Sequence, residues 1–274
     1  MPQNSREYSF ETQKIGLESV ANARELGGYI LPDGRRIRRG LLLRGGMLYG
    51  ASEADINRLQ KEYHLVCNFD FRTKMEVMSA PDIPMPGVSY MWLPAIDEQT
   101  ESLAGNSLPQ EAYSDLPAWL VRNSWNTFVQ EAAHRLYLDM VFNEYTQLQY
   151  AAFFQTLVNT RTGSIYWHCS QGKDRTGLAS TFLLTALGAD KELIMQDYRI
   201  SNEFYKEDVA RLFAQVKTEE ERKVILTFIG VNEEYYTEAL NLIDKRFGSL
   251  MAYLEGPLCV TRDDMEVLRA RYLE

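Results

Sequence analysis

The ten residues from His168 to Gly177, HCSQGKDRTG, set a cysteine six positions ahead of an arginine, with a glycine between them and a Thr-Gly pair at the end. Before them, Ser164-Ile165-Tyr166-Trp167 is aromatic and β-branched and predicts a short buried strand. After them, the nearly unbroken apolar stretch from Leu178 to Leu187 predicts a buried helix. A loop this short between two buried elements has few ways to run, so Cys169 is expected in a strand-loop-helix turn. The backbone N–H groups of Ser170, Gln171, Gly172, Lys173, Asp174 and Arg175 then converge at a helix N-terminus. They make a concave anion site that the helix dipole renders more positive, and a dianionic phosphate fits it.

The same field acts on the sulfur. A free thiol has a pKa near ~8.5, but at a helix N-terminus beside cations it falls to about 4–7, which leaves a thiolate nucleophile. Arg175 can offer a planar fork to two phosphoryl oxygens and hold them through a planar, charge-spread transition state. The Thr176 hydroxyl can donate to the departing sulfur when water attacks a thiophosphate intermediate. His168, just outside the loop, is expected to orient Cys169 through hydrogen bonds rather than to titrate. A buried cysteine is more often a small inert hydrophobe. Here cysteine, glycine, arginine and a hydroxyl stand together at the offsets the chemistry needs, which argues against that reading.

HCSQGKDRTG resembles the signature of the bacterial tyrosine-phosphatase family that includes secreted mycobacterial and listerial phosphatases acting on phosphotyrosine and phosphoinositides. The resemblance covers most of the chain. Asn22-Ala23-Arg24-Glu25-Leu26-Gly27-Gly28 is similar to the family's Asn-x-Arg-Asp-Leu-Gly-Gly segment, with Glu25 where Asp is usual, and Leu43-Arg44 to its Tyr-Arg segment. Asp70-Phe71-Arg72 with Glu76 is similar to its Asp-Leu-Arg element, and Asp197-Tyr198 with Ser201-Asn202 to the helix after the loop. The resemblance implies a cysteine-phosphatase-like α/β fold, a mixed central sheet flanked by helices with a helical lid insertion and a helical C-terminal half. It also implies a phosphatase that needs no metal or cofactor, with a phosphotyrosine protein or a phosphoinositide as substrate.

Leaving-group departure needs a proton donor, and a positioned aspartate is the usual class. Asp174 is preferred because it lies in the loop and because the family assigns that role to the aspartate of its Gly-Lys-Asp-Arg run. A helix-capping Asp174 paired with Arg175 is the plainer reading, and Asp97 and Asp70 are rivals. Cys169, Asp174 and Arg175 are thus the catalytic candidates, and Ser170 through Thr176 the phosphate-binding ones. Lys173 either adds a second cation suited to inositols bearing several phosphates or only raises the local potential. Arg24, Arg44 and Arg72 are expected in buried ion pairs with Glu25, Asp70 or Glu76. A sulfurtransferase or arsenate reductase also uses a cysteine in an anion loop but usually lacks this Asp and Lys, and a non-catalytic phosphate-binding module commonly loses the Cys or Arg kept here.

The net charge of −9 argues against nucleic acid or an anionic membrane as a general partner, since such binding draws on surplus Lys and Arg. The three cysteines, Cys67, Cys169 and Cys259, stand far apart, which fits neither a disulfide scaffold nor a zinc site and points to a reducing, cytoplasmic setting. His64 and His134 have no metal-ligand spacing with any cysteine. Under oxidation Cys67 is a candidate disulfide partner for Cys169. The first twenty residues hold no apolar core of a classical leader, so export would need another route, and nothing approaches the ~18 apolar residues of a membrane span.

At 274 residues a single catalytic domain over 1–274 with an insertion is the simplest parse. Strands are predicted at Leu41 to Arg44, His64 to Phe71, Ser89 to Leu93 and Ile165 to Cys169. Ser52 reads as a helix N-cap, and Ala80 through Pro86, with three prolines, as extended connection. Helices are predicted after Asp190 and over Glu203 to Gln215, Glu219 to Ile229, Glu233 to Phe247 and Arg262 to Tyr272, with Thr261 as a cap. The segment from Asp97 to about Arg135, polar at first and then aromatic around Trp119, Trp125 and Phe128, is too long for a simple connection. It reads either as a partly helical lid over the phosphate site or as a helix packed permanently on the core.

Overall fold

Five short strands line up as β1 (Arg24–Glu25), β2 (Leu42–Gly45), β3 (Leu65–Asp70), β4 (Ser89–Trp92) and β5 (Ser164–His168), in the spatial order β1-β2-β5-β3-β4. The computed structural model describes Tyr8 and residues 10–97 and 115–274. Strands β2, β5, β3 and β4 run parallel, and β1 closes one edge antiparallel to β2, so the sheet is mixed. Parallel strands covered on both faces read as continuous apolar runs, and every residue of β5 is buried. Its side chains alternate between two cores. Ile165 and Trp167 join the larger apolar cluster with Phe69, Phe153 and Leu183, while Tyr166 turns to the other face with Leu43 and Leu59. This places Cys169 at the carboxyl end of the central strand, where open α/β sheets bind their ligands.

The connections are α1 (Glu53–Asn57), which Ser52 caps and which continues into a π-helical turn at Arg58–Glu62, and α2 (Lys74–Ser79), which opens on a Thr73–Glu76 capping box. Residues 81–85 carry no regular structure, since Pro81 and Pro84 lie within them and Pro86 follows directly. Among the described residues, three helices lie between β4 and β5: α3 (Leu116–Asn123), α4 (Thr127–Phe142) and α5 (Glu144–Asn159). After the loop come α6 (Asp174–Leu187), α7 (Lys191–Phe213), α8 (Glu219–Phe228), α9 (Glu233–Phe247), α10 (Leu250–Glu255) and α11 (Arg262–Tyr272).

The predicted strands all form, shifted by a residue or so at their ends. The two-residue β1 gave no periodic signal. The two helices expected after Asp190 are one element of 23 residues, because no glycine or proline interrupts the chain between them. Of the segment read as a lid, residues 98–114 lie outside the described residues. The remainder supplies α3 and the start of α4, where Trp119, Leu120, Val129 and Ala133 build a small separate core with Leu212, Val224 and Ile225 from α7 and α8. Among the described residues no helix is long and apolar enough to cross a membrane.

Candidate active site

From β5 the chain turns at Cys169 and enters α6 at Asp174. Gly172 makes the turn possible: its φ is +68°, and a Cβ there would sit 2.2 Å from the carbonyl carbon and oxygen of Gly45. Only glycine meets both conditions.

The loop's carbonyls are pinned from outside. The Met47 N–H donates to Ser170 O at 3.2 Å, and the Tyr205 hydroxyl donates to Gln171 O at 2.6 Å. Gly172 O accepts from Asn22 Nδ2 and from Arg44 Nη2, both at 2.8 Å. Because each peptide unit is planar and trans, fixing these three carbonyls outward aims the N–H groups of Gln171, Gly172 and Lys173 to the opposite side. The clamps are themselves anchored. Arg24 and Arg44 share one fully enclosed carboxylate, Asp197, at 3.2 and 2.5 Å, and Tyr29 donates to it at 3.0 Å. Two guanidinium groups against one carboxylate leave a net positive charge buried beneath the loop. Burial and the neighbouring Arg24 push the Arg44 pKa down to about 10, and the opposing pull of Asp197, Tyr29 and Cys169 does not restore it.

Arg175 is held as a fork. Its Nη1 and Nη2 meet the two oxygens of Glu76 at 2.6 and 2.8 Å, and the same carboxylate accepts from Ser170 Oγ and from the Thr73 N–H. Burial alone would raise the Glu76 pKa, but Arg175 and the Ser170 and Thr73 hydrogen bonds outweigh it and bring it down to about 2. Cys169 shows the same contest. Burial pushes the thiol up, whereas the charge of Arg175 and the hydroxyl and N–H of Thr176 pull it down, and the net result is a pKa below that of an ordinary thiol. A thiol with a depressed pKa beside a braced guanidinium at a helix N-terminus is equipped to attack phosphorus and to hold the oxygens that become more negative as it does so.

The comparisons with known proteins agree with this geometry. A family model described as the tyrosine phosphatase family matches residues 15–274. The chain belongs to that family. It is 30% identical over 260 residues, 94% of this chain and 88% of the relative, to a Cupriavidus necator protein whose tyrosine-protein phosphatase name is itself inferred. It is 33% identical over 99 residues, 32% of this chain and 36% of the relative, to the triple specificity protein phosphatase PtpB of Mycobacterium tuberculosis. A Nostoc commune tyrosine-protein phosphatase is 37% identical over 57 residues, 21% of this chain and 19% of the relative. The protein is a phosphatase of the phosphoric ester hydrolase class, and the family implies a phosphoprotein substrate.

In this phosphatase Cys169 and Ser170 through Lys173 form the loop, and Asp174, Arg175 and Thr176 form the first turn of α6 that follows it. The Lys173 and Asp174 side chains of the Gly-Lys-Asp-Arg run bond to each other and to groups on α8 and α4. The Lys173 ammonium is 2.8 Å from Asp174 Oδ2 and donates to Thr227 O at 2.5 Å, and the other oxygen of Asp174 accepts from the Tyr137 hydroxyl. The rival aspartates differ from it. Asp70 is buried in an ion pair with Arg72 at 2.7 Å and accepts from Tyr90, and Asp97 ends the described segment after β4.

Four details correct the sequence reading. Arg24 and Arg44 pair with Asp197, not with Glu25, whose partner is Arg39 at 2.6 Å. Glu76 holds Arg175 and not Arg24, Arg44 or Arg72. His168 is more than an orienting group. It lies fully buried with Nε2 2.8 Å from Asp82 and Nδ1 3.1 Å from Cys169 O. Burial disfavours its imidazolium, but Asp70 and Asp82 overcome that and raise its pKa above the ordinary value. Cys67 cannot bridge to Cys169: it is paired with Ile165, four residues earlier on the adjacent strand, an offset of roughly 13 Å at 3.3 Å per residue against the ~7 Å limit for disulfide Cα atoms. Burial has pushed its thiol up to about 12.

Sequence reasoning quoted Asn22 and Asp197 without giving them a task and missed Met47, Tyr137 and Tyr205. The Asn-x-Arg and Asp-Tyr segments carried a signal, but their job of holding loop carbonyls is visible only once the chain is folded.

Proposed function

We propose that this phosphatase hydrolyses phosphotyrosine in proteins through a cysteinyl-phosphate intermediate. The observation that supports this best is Cys169, its thiol pKa lowered, against the effect of burial, by Arg175, at the start of a loop whose Ser170, Gln171 and Gly172 carbonyls are each held outward by a separate donor. The thiolate attacks phosphorus, an S–P bond forms, and the P–O bond to the aryl group breaks. Asp174 gives its proton to the leaving oxygen. Asp174, now a carboxylate, takes a proton from water, whose oxygen attacks phosphorus and breaks the S–P bond. Thr176 donates to the departing sulfur, and inorganic phosphate leaves. Arg175 contacts two equatorial oxygens throughout, and the surplus charge of Arg24 and Arg44 keeps the loop attractive to a dianion. No metal or cofactor is needed for these steps.

The triple specificity for which PtpB is named supports a range wider than phosphotyrosine, extending to phosphoserine, phosphothreonine and phosphoinositides. Phosphate release is measured with EDTA present from a phosphotyrosine peptide, a phosphothreonine peptide and a panel of inositol phospholipids, comparing the parent with C169S. The expected result is release by the parent, none by C169S, and a phosphoryl adduct on Cys169 in acid-quenched parent enzyme by mass spectrometry. Undiminished turnover by C169S, or loss of turnover with EDTA, would overturn the reading.

A further inference from the structure

We infer that Tyr137 is a positioning residue that fixes the carboxylate of Asp174 and sets the pH at which it serves as the acid, an inference that rests on reading Asp174 as the proton donor. Tyr137 lies on α4, far from the signature in sequence, and is fully buried. Its hydroxyl meets Asp174 Oδ1 and stands 2.6 Å from the Tyr198 hydroxyl. The Tyr198 ring stacks on Tyr236 with centroids 3.8 Å apart and planes 9° from parallel. The Tyr236 hydroxyl bonds Thr181 Oγ1, and that oxygen donates to Gly177 O at 2.9 Å. The phenol cannot slide without disturbing α7, α9 and the first turns of α6.

The direction of the hydrogen bonds follows from counting protons. An ionised carboxylate only accepts, so Tyr137 donates to Asp174 and its oxygen is free to accept from Tyr198. The second oxygen of Asp174 is taken by Lys173, whose ammonium is tied to Thr227 O on α8. Both oxygens are therefore directed by fixed donors, while the side chain keeps 14% of its surface exposed, enough to reach a substrate. The charged groups facing Asp174 are Lys173, Arg175 and the Cys169 sulfur. From α4, α5 and α7 it is faced by the phenols of Tyr137, Tyr150, Tyr198 and Tyr205, all kept neutral by burial. Of these phenols, Tyr137 is the one that hydrogen-bonds to it among the described residues.

A hydroxyl donating to a carboxylate favours the ionised form. Replacing Tyr137 by Phe keeps the ring and deletes that donor, so the basic limb of kcat/KM, which reports the protonated acid, should move up by about one pH unit, the size of one charge-assisted hydrogen bond. Loss of the fixed orientation should also cut kcat on phenyl phosphate about tenfold, a fraction of what a general acid contributes, and change turnover of dinitrophenyl phosphate far less, since that leaving group needs no proton. Y198F should move the limb the same way by less, because Tyr137 keeps its own bond. D174N is measured beside them. A selective loss on phenyl phosphate in D174N, with Y137F lowering both substrates equally and leaving the limb in place, overturns the role of Tyr137 alone. Equal losses in D174N remove the acid reading and this inference with it. If Y137F does not fold, Y198F decides: an unmoved limb refutes the inference.

Discussion

Replacing Glu76 by Gln should give an enzyme whose Cys169 thiol is more ionised and whose turnover is nevertheless slower. Glu76 braces Arg175 through two hydrogen bonds at 2.6 and 2.8 Å, and its pKa is about 2 where an ordinary glutamate has 4.5. At ~1.4 kcal/mol for each tenfold change in proton affinity, that difference is worth about 3 kcal/mol of folding stability. The figure agrees with the roughly 3–5 kcal/mol cost of leaving a buried partner unpaired. The sign follows from the depressed value: the contribution is complete above the unfolded carboxylate's pKa and disappears as pH falls from about 5 toward 2. Urea unfolding at pH 7 should therefore find E76Q about 3 kcal/mol less stable than the parent, with the gap closing in acid. Removing the carboxylate also leaves the field of Arg175 at Cys169 less opposed, so the thiol pKa, read from the pH dependence of iodoacetate alkylation, should fall. The guanidinium, no longer held in plane, should lower kcat about 100-fold, the usual effect of a misplacement near 1 Å. A stability gap that persists unchanged to low pH, or a kcat within about threefold of the parent, would refute this account of Glu76.

Three further substitutions test other parts of the scaffold. G172A places a Cβ 2.2 Å from the Gly45 carbonyl at a φ of +68°, whereas G188A, at φ +101° past the end of α6, meets no atom within 4 Å. Calorimetry and steady-state kinetics should find G188A about 1–2 kcal/mol less stable with full activity, and G172A inactive; comparable behaviour of the two would contradict the clamp on Gly172. His168 has a raised pKa between Asp70 and Asp82, so its share of stability is complete below the unfolded value near ~6.5 and is lost as pH rises through the folded one. Urea midpoints of the parent should therefore decline over the neutral to alkaline range, and H168Q should lack that part of the decline; parallel curves would argue that the imidazolium contributes nothing.

What the sequence determined by itself is the local chemistry. The strand, the loop and the helix from Ser164 to Leu187 are contiguous, and hydrophobic periodicity, one glycine and the Cys-to-Arg offset specify a thiol among amides before any distant contact forms. The periodic strands and the capped helices at Ser52, Asp190 and Thr261 were legible for the same reason, because their patterns repeat over a few residues. What only the tertiary structure decided is which distant groups meet that loop. Asn22 reaches Gly172 across 150 positions, and Glu76 reaches Arg175 across 99. Neither pairing has a local signature, because a guanidinium or a carboxamide can satisfy its hydrogen bonds with any suitable partner the fold presents. Pairing of Arg24 and Arg44 with Asp197 in place of Glu25, and the separation of Cys67 from Cys169, depend likewise on strand order and register. These are fixed by burying both faces of the parallel sheet at once. Segment composition cannot state that condition, since it is met only when every strand and covering helix is in place.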